Sequence, residues 1–170
     1  HRIVETRPAL VPLTFEAQSW APFVELSGLS LLANVKSGSG KAAGEFLEDL
    51  LFTHRGMSGP AILQISSYWR PGNPLLIDLA PGVDLQTHLA EAKHHSKRKL
   101  GNELAELIPR RLADTWLATQ PELMDRTMAE QRDRDLSALA HKLQRWELVP
   151  SGTEGYKKAE VTAGGVAAQA

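Results

Sequence analysis

Residues 51–66 read LFTHRGMSGPAILQIS. A short apolar run, Leu51-Phe52, enters a turn rich in Gly, Ser and Pro, and an apolar segment of helical character follows Pro60. Such a strand–turn–helix corner can aim backbone N–H groups at an anion or a cofactor. Ser58 or Gly59 is placed to cap the helix, with Pro60 in its first turn. His54 adds the side-chain type that exchanges protons near neutral pH. A capped turn with a packing histidine accounts for the same residues, and the sequence leaves both open. A hydrolase nucleophile at Ser58 fits poorly: the nucleophile elbow needs glycine two residues before and two after the serine, and Pro60 stands at the second place.

Working outward, Leu29, Leu31, Ala33 and Val35 alternate with Ser30, Leu32, Asn34 and Lys36, the period of a strand. SGSG at 37–40 predicts a turn, and Gly44 to Phe52 resumes an extended pattern. SGSGK at 37–41 is not a phosphate loop, because Val35 and Ala42 occupy places that need Gly and Ser or Thr. No GxGxxG fingerprint occurs, so no Rossmann cofactor site is encoded. PLLIDL at 74–79 predicts a strand between Pro-Gly turns. PALVPL at 8–13 predicts an edge strand, since its prolines cannot donate to a ladder.

From Val83 to Leu143 the pattern turns helical. Leu85, Leu89 and Ala92 share a face, and Leu100, Leu104, Leu107 and Ile108 repeat at amphipathic spacing. Pro109 starts a helix carrying Leu112 and Trp116, and Pro121 starts a short one. Asp133 or Asp135 is expected to cap a last helix bearing Leu136, Leu139, Ala140 and Leu143. After Trp146, WELV and KKAEVTA are again extended. The expected fold class is α+β: a small β-barrel or curled sheet interrupted by a helical subdomain. The expected division is 1–82 for the first barrel part, 83–145 for the helices and 146–170 for the last strands.

The 170 residues are 42% hydrophobic and 23% charged, enough for a buried core. A net charge of −1 selects neither nucleic acid nor membrane. The absence of cysteine rules out disulfides, thiolate catalysis and Cys-ligated metal, and fits a cytoplasmic protein. No run approaches the ~18 apolar residues of a membrane span, and no membrane partner is expected. Both ends read as cut, with His1 in place of an initiator Met and GGVAAQA as the tail.

Two further stretches carry possible chemistry. Lys93-His94-His95-Ser96-Lys97-Arg98-Lys99 is a basic run that could meet RNA phosphates through Lys97, Arg98 and Lys99. Flanking Glu91, Glu103 and Glu106 equally suit a solvated helix face. Adjacent His94 and His95 diverge on a helix, HExxH is absent, and no metal site is expected. VTAGGV at 161–166 is a strand running into Gly164-Gly165, where the backbone could approach a flat ring or simply turn.

Together, LFTHRGMSGPAILQIS, the preceding PALVPL and the following VTAGGV resemble the bacterial BaiN/RdsA-like flavoproteins, often labelled NAD(P)/FAD-dependent oxidoreductases. In that family a Rossmann-type FAD domain is split by an inserted β-barrel, similar to those of translation factors, with a small helical subdomain. The resemblance implies that this chain is that insert. FAD would then be held by a domain of the same parent chain, outside these residues, with NAD(P)H as a candidate electron donor and no cofactor bound to this fragment alone. It also implies a small-molecule or RNA substrate, since family members are linked to steroid-type and ribosomal-RNA uridine reductions. Thr53, Gly56, Ser58, Gly59, Thr162, Ala163, Gly164 and Gly165 become candidates for facing flavin or substrate, and His54 a candidate proton donor. A binding module without catalysis and a purely structural insert are the alternatives. Exposed Trp69 or Trp146 in an apolar patch would favour the latter. An insert must also return where it left, so strands around Arg7–Leu13 and Lys158–Thr162 should end close together.

Overall fold

The computed structural model describes residues 3–154 and 161–166. In chain order the elements are β1 (Ile3–Ala9), β2 (Leu13–Thr14), α1 (Ala17–Trp20), a 3-10 turn (Ala21–Leu26), β3 (Ser30–Ser37), β4 (Gly44–Phe52), β5 (Gly56–Ser58), α2 (Gly59–Ile65) and β6 (Leu75–Asp78). The helices α3 (Leu85–His95), α4 (Leu100–Ala105), α5 (Arg110–Ala118), α6 (Pro121–Met124) and α7 (Asp133–Gln144) follow, then β7 (Trp146–Leu148), β8 (Gly152–Thr153) and β9 (Val161–Val166).

Seven strands form one antiparallel sheet in the order β7-β6-β3-β4-β5-β2-β8. Its edge strands, β7 and β8, are separated only by Val149, Pro150 and Ser151. Laid flat, seven strands ~4.8 Å apart would hold their edges ~29 Å from each other. The chain from Leu148 to Gly152 reaches at most ~14 Å. The sheet therefore curls until its edges nearly meet, which gives the barrel expected from the sequence. Alternation fills it: Ala33, Val35, Leu50, Phe52, Leu75 and Ile77 are fully buried, while Leu32 and Leu47 on the other face are about half exposed.

PALVPL is not one edge strand. Leu10 takes a left-handed φ of 56° and breaks it, and the Val11 N–H is drawn off to Ser66 Oγ at 3.0 Å. Upstream, β1 pairs with β9 in a separate two-stranded ribbon, where each strand is an edge and Pro8 is tolerated. Downstream, β2 lies inside the large sheet between β5 and β8. The ribbon aligns Arg7 with Ala163 and Ala9 with Val161, so the two ends run side by side as an insert requires. Lys158 and the rest of 155–160, with the tail 167–170, lie outside the described residues. VTAGGV stays extended through both glycines.

Residues 17–26 are helical turns where a strand-rich region was expected. They place Trp20 in the core. The helical half follows its period: Leu85, Leu89, Leu100, Leu104, Leu112, Trp116, Leu136, Leu139 and Leu143 are all buried. The cap of α7 differs from expectation. Arg132 occupies the N-cap, Asp133 begins the helix, and neither Asp133 nor Asp135 caps through its side chain. Asp133 instead accepts from Lys93 Nζ at 2.8 Å, and that bond holds its carboxyl below the usual carboxylate range. Asp84 caps α3 by accepting from the Thr87 N–H, and the Thr87 hydroxyl and N–H lower its carboxyl likewise.

One side chain ties the helical segment's entry to its exit. Gln144 Nε2 donates to Ala80 O at 2.9 Å and Val83 O at 2.5 Å, while its Oε1 accepts from the Leu85 N–H at 3.2 Å. Beside it, Trp146 sits among Trp20, Phe23, Phe52 and Trp116, at centroid distances from 5.0 to 6.2 Å. Trp69 and Trp146 are both buried, so neither supplies the exposed patch that a purely structural insert would use.

Candidate functional site

The corner after β4 is built from inside outward. The Thr53 N–H donates to Gly56 O at 2.9 Å, and the Gly56 N–H donates back to Thr53 Oγ1 at 3.1 Å. The Trp20 indole N–H reaches Thr53 O at 3.0 Å, and the Phe15 N–H reaches Arg55 O at 2.9 Å. The backbone is thus pinned to the core and to the chain beyond β2, while His54 and Arg55 are pushed outward and exposed. Arg55 meets Glu154 at 3.4 Å.

The glycines have internal explanations. A Cβ on Gly56 would overlap Leu13 O and stand 2.9 Å from Thr14 Cα. Gly59 has a φ of +86°, and a Cβ there would lie 2.9 Å from Leu51 N and 3.0 Å from Asp49 O. Both are demanded by the chain's own packing, without any ligand's approach. Ser58 takes the N-cap place of α2 with Pro60 in the first turn, yet its side chain makes no cap bond. It is half-buried and aligned with Leu51 across the ladder.

His54 does not pair with Ser58. Its Nδ1 lies 3.1 Å from Ser27 Oγ, and that hydroxyl also reaches Val24 O at 2.7 Å. Arg111, from α5, donates through Nη2 to Glu25 O and Ser27 O, each at 2.7 Å. Ser27 carries no mark in the sequence, and neither does the reach of Arg111 across to it. Their pairing spans 84 residues and leaves no periodic trace.

Thr162, Ala163, Gly164 and Gly165 belong to the β1–β9 ribbon, and no strand pairing joins them to the His54 corner. The basic run divides between the last turn of α3 and the loop before α4. Lys93 is engaged by Asp133, and Arg98 meets Glu106 at 3.0 Å. Lys97 and Lys99 are exposed and make no ion pair among the described residues. Two clefts among the described residues, about 590 and 430 Å³, open at the β3–β4 hairpin and beside Phe23 and Trp116, apart from the His54 corner.

The described residues contain no Rossmann-type dinucleotide turn. Every strand pair is antiparallel, with no βαβ unit to present a pyrophosphate-binding turn. α2 spans only seven residues. Among the described residues no three His, Asp or Glu groups gather as metal ligands, and no helix is long and apolar enough to cross a membrane.

A family model described as "HI0933-like protein barrel and H2TH domain" matches residues 7–161. The chain belongs to that family. Such HI0933-like domains are part of the BaiN/RdsA flavoproteins, to which the 51–66 motif pointed. This HI0933-like domain is 42% identical over 165 residues to the ribosomal RNA dihydrouridine synthase of Escherichia coli (strain K12). It is 39% identical over 165 residues to the protein of the same name from Haemophilus influenzae. Each alignment covers 96% of this chain but 40% of the relative, so the chain spans well under half the length of either.

Proposed function

We propose that this domain is the inserted region of a cytoplasmic FAD-dependent oxidoreductase that forms dihydrouridine in ribosomal RNA. The barrel would shield the flavin and present the His54 corner to the reacting uracil ring. FAD is held by the parent's own FAD-binding domain. The observation that carries the insert reading is the β1–β9 ribbon, through which the chain enters and leaves side by side. The names of the two relatives supply the substrate class.

Reducing a carbon–carbon double bond needs a proton donor as well as a redox centre. His54 is exposed, held by a side-chain hydrogen bond and carried on a pinned backbone, which suits that role. Thr53 and Ser58 flank it, with Thr53 Oγ1 closing the turn and Ser58 free of a capping duty. In the full parent enzyme, His54→Gln should slow dihydrouridine formation ~10²-fold or more while the visible flavin spectrum stays unchanged. Unchanged turnover would remove the acid role.

An RNA-binding contribution is favoured by Lys97 and Lys99, the members of the 97–99 trio without an ion pair among the described residues. Replacing both with Gln should weaken RNA binding by the parent and lower its log–log salt slope by ~1.5, at ~0.7–0.9 per phosphate contact. Arg98, already facing Glu106, should matter less. An unaltered salt slope in the double variant would remove these lysines from the interface.

A further inference from the structure

We propose that Ser27 and Arg111 are positioning residues that fix His54 in a single tautomer, with Nδ1 protonated and Nε2 left as the proton-exchange atom. The Ser27 hydroxyl carries one proton. It lies 2.7 Å from Val24 O, the usual length of an O–H···O bond, and a carbonyl oxygen can only accept. That proton is spent on Val24. The contact at 3.1 Å between Ser27 Oγ and His54 Nδ1 must then run the other way, with Nδ1–H donating to Oγ. A neutral imidazole has a single N–H, so Nε2 bears the lone pair. Free histidine in water prefers the opposite arrangement.

Ser27 is itself held from two sides. Its N–H donates to Val24 O at 3.0 Å, and the next residue's N–H, that of Gly28, donates to Phe52 O at 2.9 Å. From the helical segment, the Arg111 guanidinium grips Glu25 O and Ser27 O. Charge-assisted bonds of that length are stronger than neutral ones. The barrel carries the histidine on one strand end, and α5 reaches across to orient it.

Every proton that His54 exchanges therefore passes through Nε2, while the Nδ1 proton stays on Nδ1, donated to Ser27 Oγ. This catalytic sense rests on His54 as the acid; the tautomer does not. The test is a two-bond ¹H–¹⁵N correlation on this chain with ¹⁵N-labelled histidine, at alkaline pH where imidazoles are neutral. His54→Gln identifies the His54 signals among the six histidines. Wild-type His54 should show a protonated Nδ1 and an unprotonated Nε2. Ser27→Ala should reverse this, Ser27→Thr should preserve it, and Arg111→Lys should give a mixture, all with native tryptophan fluorescence. A wild-type His54 protonated on Nε2, or a Ser27→Ala chain that keeps the Nδ1 proton, would overturn the proposal. Should the tautomer hold while His54→Gln leaves the parent's turnover intact, the acid role fails and the orientation stands.

Discussion

Replacing Gly56 with alanine should cost this domain about 3–5 kcal/mol, a shift of the thermal midpoint on the order of 10 °C. The added methyl has nowhere to go. It would overlap Leu13 O and press on Thr14 Cα, both backbone atoms of β2, which lies inside the sheet. A flexible side chain could swing away; a strand bonded on both sides cannot. To admit the methyl, β2 must part from β5, and the buried Leu13 and Met57 lose their packing with it. Gly28→Ala is the control. Gly28 has a φ of +91°, but a methyl on its Cα would meet nothing within 4 Å, so only the left-handed backbone is penalised, at about 1–2 kcal/mol. Denaturant titrations of the two variants should rank Gly56→Ala well below Gly28→Ala. Equal stabilities would mean that β2 and β5 are not in close register.

Trp146→Ala should cost a similar ~3–5 kcal/mol, by opening a cavity instead of overfilling one. Trp146 is only 8% exposed and meets four other rings. Trp20 and Phe52 lie near-parallel to it on the barrel side, and Trp116 meets its ring edge-on from α5. Truncation removes the ring through which barrel and helices share one core. The expected signature is a lower midpoint with a marked loss of near-ultraviolet circular dichroism, since several coupled indoles would lose their fixed geometry. Trp146→Phe should recover part of the stability. A loss below ~1 kcal/mol for Trp146→Ala would mean that the two halves do not pack through this cluster.

How much of this could be read in the chain depended on the length of each signal. The helices were legible because Leu100, Leu104 and Ile108, or Leu136, Leu139 and Leu143, repeat over several turns. β3, β4 and β6 were legible from alternation and bounding turns. Strands of two residues have no period, so β2 and β8 could not be found that way, and the prolines of PALVPL suggested an edge for a segment that feeds the sheet interior. Residues 17–26 form only brief helical turns, too short to show a helical period inside the part expected to be strands. At the candidate site, the corner and its histidine were plain from local spacing. The partners that orient the histidine come from distant segments and have no sequence mark. Gly56 and Gly59 also stand against the chain's own backbone, a requirement that local spacing does not show.

The strand order also sets a timetable for biosynthesis. β6 is made early, yet its partner β7 and the last strand of the curled sheet, β8, come only after all of α3 to α7. On a ribosome adding ~5–20 residues per second, about 75 residues separate Asp78 from Thr153, a delay of roughly 4–15 s. Throughout that interval Leu75 and Ile77 lack one neighbour strand and remain exposed to whatever else is nascent nearby. The helices have local contacts and can form while the barrel waits. Safe production of this domain thus depends on the helical segment collapsing promptly enough to deliver the closing strands before the open edge finds another chain.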